Sequence, residues 1–299
     1  MSDNKEQKFF GVNDSLWGHK WGFKDSQFVI NDDGSVTFTG NRYKGVSGEN
    51  LPYLVPFVEK ILDIEIKTKP YFNEVEKKHV ADRSVNQHFM DELESNFNSD
   101  QYTFEDGDRI LHSHGQNGPD EVFKVLYNKL EKFTDLVFYI ESEQDVISLI
   151  DLAKKHDVCL VPFGGGTNVT NALKLPNEED RMIVSVDTRR MNKIESLDKE
   201  NLMVTVQAGI TGKNLEENLQ KEGYTVGHEP DSIELSTLGG WISTNAAGMK
   251  KNRYGNIEDI VQNVIIITPN GSINQIEPLV RSSIGIKTQN LLFGSEGNL

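Results

Sequence analysis

The chain has a single cysteine in 299 residues, Cys159, which excludes an internal disulfide and any cysteine-based metal cluster. Set in the apolar run "VCLV", its thiol is expected to be a buried core group rather than a reactive one. Long apolar runs are missing too. Nothing approaches the roughly 20 residues a membrane helix needs, and the polar start "MSDNKEQK" has no secretory core, so the chain is expected to begin at or near Met1 inside the cell. Positive charge is scarce: 31 Lys and Arg stand against 46 Asp and Glu, a formal charge of −15. That argues against a nucleic-acid partner or an anionic membrane surface, both of which want cations concentrated on one face. A phosphate ligand must then be held locally, by backbone N–H groups and a few chosen side chains.

What is present begins with "VPFGGGTNVT", residues 161–170. Gly164, Gly166 and Val169 occupy the positions of the dinucleotide fingerprint G-x-G-x-x-G, so its last glycine is absent, and no Gly-Lys-Ser/Thr follows as a P-loop requires. A glycine run can still aim consecutive N–H groups at one point, with the Thr167 and Thr170 hydroxyls beside them, or it can merely turn a corner. A second region, 227–260, is dense in Ser, Thr, Asn, Gly and Ala. Its "STLGGWISTNAAG" holds too many glycines for an exposed helix, and a buried, closely packed helix under a flat ligand accounts for it better. His228 beside Glu229 is a weak acid/base candidate, because neighbours in extended chain point opposite ways. His112 and His114 in "LHSHG" have no third ligand nearby, so loop or packing roles are expected and no metal site is assigned.

Along the chain, "FVINDDGSVTFTG" reads as a β-hairpin and "LVPFVEKILDIEI" as a short amphipathic helix. Residues 86–118 are acidic and read as a solvated connector. Pro119 opens a helix whose apolar face is Val122, Val125, Leu126, Leu130 and Phe133. "DLVFYI" is a strand, Ser142 and Asp145 mark the start of a helix striped by Val146, Leu149, Ile150 and Ala153, and "CLVPFGG" completes a β-α-β unit that delivers the glycines. "MIVSVDT" and "LMVTVQAG" alternate as strands. A helix follows from Thr211 or Gly212 to Gly223, and "NVIIITPNGSINQI" is a hairpin turning on Asn270 and Gly271 in a type I′ turn.

The order of "PFGGGTN", "VQAGITG", "TLGGWISTNAAG", "RYGNIEDIV" and the terminal "GSEG" resembles the PCMH-type FAD-binding domain of the vanillyl-alcohol-oxidase-like flavoproteins. Within that superfamily the chain looks most like the alkyldihydroxyacetonephosphate synthases of ether-lipid synthesis. "KWGFKDSQFVI", "TGNRY", "GHEPDSIELSTLGGW" and "GMKKNRYGNIEDIV" carry this likeness, which covers nearly the whole chain. The resemblance implies an α+β fold: a two-subdomain FAD-binding domain over 119–299, preceded by a small accessory module and acidic connector over 1–118. The implied cofactor is non-covalent FAD. Its pyrophosphate loop falls on Pro162, Phe163, Gly164, Gly165, Gly166, Thr167 and Asn168, where bare backbone lets the phosphates sit close. A second segment falls on Asp231, Ser232, Ile233, Glu234, Leu235, Ser236 and Thr237, and a third on Thr244, Asn245, Ala246 and Ala247. The fourth begins at Glu296 and Gly297, with Asn298 in place of the usual threonine.

For the whole enzyme the resemblance implies exchange of the acyl group of acyl-dihydroxyacetonephosphate for a long-chain fatty alcohol. The flavin N5 acts there as a covalent trap without net redox change. The chain stops at "FGSEGNL", so the catalytic tyrosine and histidine cluster are expected beyond Leu299, and the 299 residues alone are expected to make no ether product. A homodimer, peripheral membrane contact of the full-length protein and a peroxisomal location follow from the same resemblance. "GNL" is not an S-K-L signal, which leaves a cytoplasmic location open. Two alternatives stay beside this reading: a flavin-dependent 2-hydroxy-acid dehydrogenase of the D-lactate type, and a non-catalytic FAD-binding remnant.

Overall fold

A computed structural model describes residues 16–18, 20–43, 45–67, 80–274, 283, 285 and 287–298; the polar start and the last two residues of "NVIIITPNGSINQI" lie outside them. The chain divides into two compact units, Met1–His79 with Pro119–Leu130, and Val80–Gly118 with Glu131–Leu299. In the first unit, β1 (Phe28–Ile30) and β2 (Val36–Phe38) form the expected hairpin with Phe28 opposite Phe38. Gly34, at φ +80°, lets the turn close. β3 (Asn50–Leu51) pairs with the other edge of β2. α1 (Leu54–Leu62) ends where Asp63 takes the left-handed conformation.

The acidic stretch expected to be a solvated connector is folded. α2 (Gln87–Asn96) is capped by the Asn86 side chain, which accepts from Phe89 N at 3.1 Å, and it buries Phe89, Met90 and Leu93. Its acids occupy the other faces, where they mask the apolar spacing in a composition reading. β4 (Tyr102–Thr103) and α3 (Asp106–Leu111) follow. Arg109, the lone cation expected in solvent, is buried and donates to Thr134 O at 2.9 Å, Asp106 Oδ1 at 2.9 Å and Ala81 O at 3.0 Å. α4 (Pro119–Leu126) starts on its proline as expected, but it stops before Leu130 and Phe133.

β5 (Leu136–Tyr139), α5 (Glu143–His156) and β6 (Cys159–Phe163) give the β-α-β unit. β7 (Ile183–Asp187) inserts between the two strands, so the sheet order is β4-β5-β7-β6. β5, β7 and β6 run parallel and β4 antiparallel. The central position of β7 explains why all five of its residues are buried. The core beneath this sheet is built from Phe89, Leu93, Leu136, Phe138, Leu149 and Val184. Cys159 sits on an edge strand and is half-buried rather than sealed in the core.

β8 (Ile194–Asp198) and β9 (Met203–Val206) form a hairpin of which only the second strand was anticipated. α6 (Gly212–Lys221) is capped by Thr211, which accepts from Asn214 N. α7 (Leu238–Ser243), α8 (Lys251–Tyr254) and α9 (Ile257–Ile260) are short. Ile210, Leu215, Leu219, Trp241, Ile242 and Ile257 make a second core, in keeping with a two-subdomain α+β domain. β10 (Ile265–Thr268) and β11 (Gly271–Asn274) pair with Thr268 opposite Gly271, so the turn residues are Pro269 and Asn270. The type I′ turn on Asn270 and Gly271 is therefore overturned: proline cannot take the positive φ that turn demands, and its fixed φ suits the first central position of an ordinary turn. Among the described residues no helix is long and apolar enough to cross a membrane.

Candidate functional site

β6 delivers Phe163 to the end of the sheet, in register with Asp187 on β7, and the chain leaves the ladder at Gly164. From Gly164 to Asn168 none of the five backbone N–H groups donates to an acceptor among the described residues. The carbonyls on this stretch are anchored instead: Gly166 O accepts from Gln116 N at 2.6 Å and Thr167 O from Asn117 Nδ2 at 3.0 Å. Gly166, at φ +66°, gives the left-handed bend that lets successive N–H groups converge. The result is a rigidly backed row of donors. No sequence spacing pointed to Gln116 and Asn117, which reach the loop from about fifty positions away.

Packing within the chain gives a reason of its own for the bare glycines. A Cβ on Gly165 would strike the Leu235 carbonyl and come within 2.9 Å of Ser236 Cα, and one on Gly164 would lie 2.5 Å from Thr237 Oγ1. Gly165 is needed so that the second glycine-rich segment can pack directly on the loop, and its φ is not positive. The fourth segment joins from the other side. A Cβ on Gly297 would be 3.0 Å from Pro162 Cγ, and Glu296 N donates at 2.8 Å to Ser243 O, next to Thr244.

Of the residues proposed to bind cofactor, the loop 162–168, Leu235, Ser236, Thr237, Glu296 and Gly297 are thus brought together, and Glu296 reaches the third segment, Thr244 to Ala247, only through its neighbour Ser243. Asp231 is exposed and Ile233 turns to the start of α6, its carbonyl accepting from Lys213 N at 2.9 Å. Three of the hydroxyls have internal partners. Thr237 Oγ1 caps α7 by accepting from Gly240 N, Thr244 Oγ1 donates to Gly240 O at 2.8 Å, and Ser236 Oγ donates to Ser232 O while accepting from Trp241 Nε1 at 2.8 Å. Those three hydroxyls are thus engaged within the chain, whereas the loop amides have no acceptor among the described residues.

Behind the loop lies a buried charged group that the sequence reading missed. Asp187 accepts from Arg189 Nε at 3.0 Å, from Arg189 Nη2 at 2.5 Å and from Arg189 N at 2.8 Å. His112 Nε2 lies 2.9 Å from Asp187 Oδ2. Burial by itself would raise the Asp187 pKa, but the Arg189 charge and the hydrogen bonds from His112 and Arg189 hold it well below the usual carboxylate range. The only hint in the sequence was an Asp two residues before an Arg.

His112 and His114 point to separate partners rather than to one metal. His114 Nδ1 is 2.7 Å from Gly115 O, its Nε2 has no partner, and burial pushes its pKa down to about 4. His228 and Glu229 do not act as a pair: Glu229 binds Lys250 at 2.9 Å, while His228 is buried against Trp241 with neither ring nitrogen hydrogen-bonded among the described residues.

Comparison with known proteins fits this geometry. The FAD binding domain family matches residues 134–277. Alkyldihydroxyacetonephosphate synthase of Caenorhabditis elegans is 40% identical over 93% of this chain and 46% of its own length, and that of Dictyostelium discoideum is 35% identical over 85% and 42%. A solved alkyldihydroxyacetonephosphate synthase structure superposes with TM-score 0.84 at 31% identity, over 99% of this chain and 52% of that one. The chain is similar to the alkyldihydroxyacetonephosphate synthases over most of its own length. It spans about half the length of the relatives it matches. The fold is that of a PCMH-type FAD-binding domain, and its cofactor is FAD. The residues fit that cofactor: a row of unengaged amides suits a pyrophosphate, and the buried, unpartnered His228 lies in the same glycine-rich block as the second segment.

Proposed function

We propose that this chain supplies the flavin-binding part of an alkyldihydroxyacetonephosphate synthase, holding FAD non-covalently on 162–168, 231–237, 244–247 and the turn at Glu296 and Gly297. The observation that supports this assignment is the row of five N–H groups from Gly164 to Asn168 that have no acceptor among the described residues, in a protein of charge −15. Fixed backbone dipoles can hold a pyrophosphate where no basic patch exists. The bound flavin would supply the reactive ring, and this chain's residues would orient it. Acyl-dihydroxyacetonephosphate and a long-chain alcohol are the substrates proposed for the whole protein, together with a homodimer, peripheral membrane contact and a peroxisomal location.

The likeness to the Caenorhabditis elegans synthase covers 93% of the chain, well beyond 134–277, and favours this reading over a D-lactate-type dehydrogenase. The test is to purify the chain, saturate it with FAD, remove free ligand and record the visible spectrum. Retained flavin absorbance is expected. A colourless protein would overturn the reading, and rapid bleaching of bound flavin by D-lactate would replace it with the dehydrogenase.

A further inference from the structure

The His112 ring sits between two acceptors. Its Nδ1 lies 2.8 Å from the Asp108 carbonyl oxygen and its Nε2 2.9 Å from Asp187 Oδ2. Neither acceptor can donate, so both contacts are satisfied together only when both ring nitrogens carry protons. Arg189 Nη2 is 3.4 Å from His112 Nε2, but an unprotonated Nε2 accepting from it would turn its lone pair on the nearer carboxylate oxygen. With Arg189 and Asp187 ionised, a doubly protonated His112 leaves the trio one positive charge in excess. All three are nearly inaccessible to solvent, at 0%, 1% and 5% exposure for His112, Asp187 and Arg189.

This charge lies against the residue that enters the glycine loop. The His112 ring centroid is 4.4 Å from that of Phe163, and the Arg189 guanidinium carbon is 5.1 Å from the Phe163 centroid. Thr188, between Asp187 and Arg189, donates its N–H to Phe163 O at 3.0 Å. The groups that face His112 are Asp108 from α3, Asp187 and Arg189 from the end of β7, and Tyr139 of β5, whose ring centroid is 6.1 Å away. His114 follows two residues on, and its own burial pushes its pKa down to about 4.

We propose that His112, held as an imidazolium between Asp108 and Asp187, is a positioning residue for the flavin pyrophosphate, giving the glycine loop a buried positive backing that the acidic protein otherwise lacks. The proposal rests on the flavin reading of that loop. Buried charge of this kind is little screened by salt and acts on an anion at the loop but not on an uncharged ring system.

The experiment compares affinities of the full chain for FAD and for riboflavin, which lacks the pyrophosphate, in the native protein, His112→Gln and His112→Arg. His112→Gln should lose about tenfold in FAD affinity with riboflavin unchanged, and His112→Arg, which keeps the charge, should recover most of it. Equal loss for both ligands would mark a purely structural role and overturn the proposal, as would unchanged FAD affinity. Imidazole nitrogen NMR of the native chain is the second measurement, independent of whether His112→Gln folds. Two protonated ring nitrogens at neutral pH support the proposal, and a neutral ring overturns it. A native chain that binds neither ligand would instead defeat the flavin reading itself, and this proposal with it.

Discussion

At the scale of single residues, Gly165 and His114 are the sharpest cases. Substituting Gly165 by alanine drives a methyl into the Leu235 carbonyl, so the two glycine-rich segments must separate. A loss of about 1–3 kcal/mol in urea unfolding is expected. Native stability in G165A would show that the segments can part freely. His114 has a folded-state pKa of about 4, below the ordinary value of 6.5, chiefly through burial. A base with a depressed folded pKa binds fewer protons folded than unfolded between those two values, so stability falls as pH drops from about 6.5 to about 4, by up to about 3 kcal/mol. Unfolding free energies measured across that window should show this slope, and His114→Phe should flatten it. Neither role was legible in the sequence. A glycine's neighbours across a tertiary contact leave no local mark, and burial of a histidine between polar residues has no periodic signal.

Among the elements, those with local instructions follow the sequence closely. Ser142 accepts from Asp145 N at 3.1 Å, and the Asp145 carboxylate accepts in return from Glu141 N at 3.0 Å, which fixes the start of α5 as the Ser-Asp spacing foretold. Ser142→Ala should cost about 1 kcal/mol in thermal or urea unfolding, and no measurable change would mean the surrounding packing alone holds that end. The acidic stretch 86–118 departs from its reading because composition averages over faces: three apolar positions on α2 suffice to bury the helix while its charges remain outside. The β10–β11 turn departs by one residue because Pro269 outranks the Asn-Gly signal next to it.

For the whole molecule, the excess of 15 negative charges sets an electrostatic background in which like charges repel in the folded state. Exposed ion pairs such as Lys199 with Glu222 contribute little against it. Raising salt from about 20 to about 200 mM should therefore raise Tm by a few degrees, and a fall would show that attractive pairs dominate. FAD at about a hundredfold above its Kd should add about 2.7 kcal/mol to stability if it binds only the folded chain; differential scanning calorimetry with and without FAD measures this. The sequence by itself determined the strand and helix order of the β-α-β unit, the glycine-rich loop at its end and the resemblance to a flavoprotein family, because caps, hydrophobic periods and glycine runs act over a few residues. Only the tertiary structure decided why Gly165 must be bare, which of the four proposed segments touch, and that His112, Asp187 and Arg189 stand together behind Phe163. Those facts depend on chain approaches between residues from about 25 to 130 positions apart, and no local pattern specifies where two distant segments will meet.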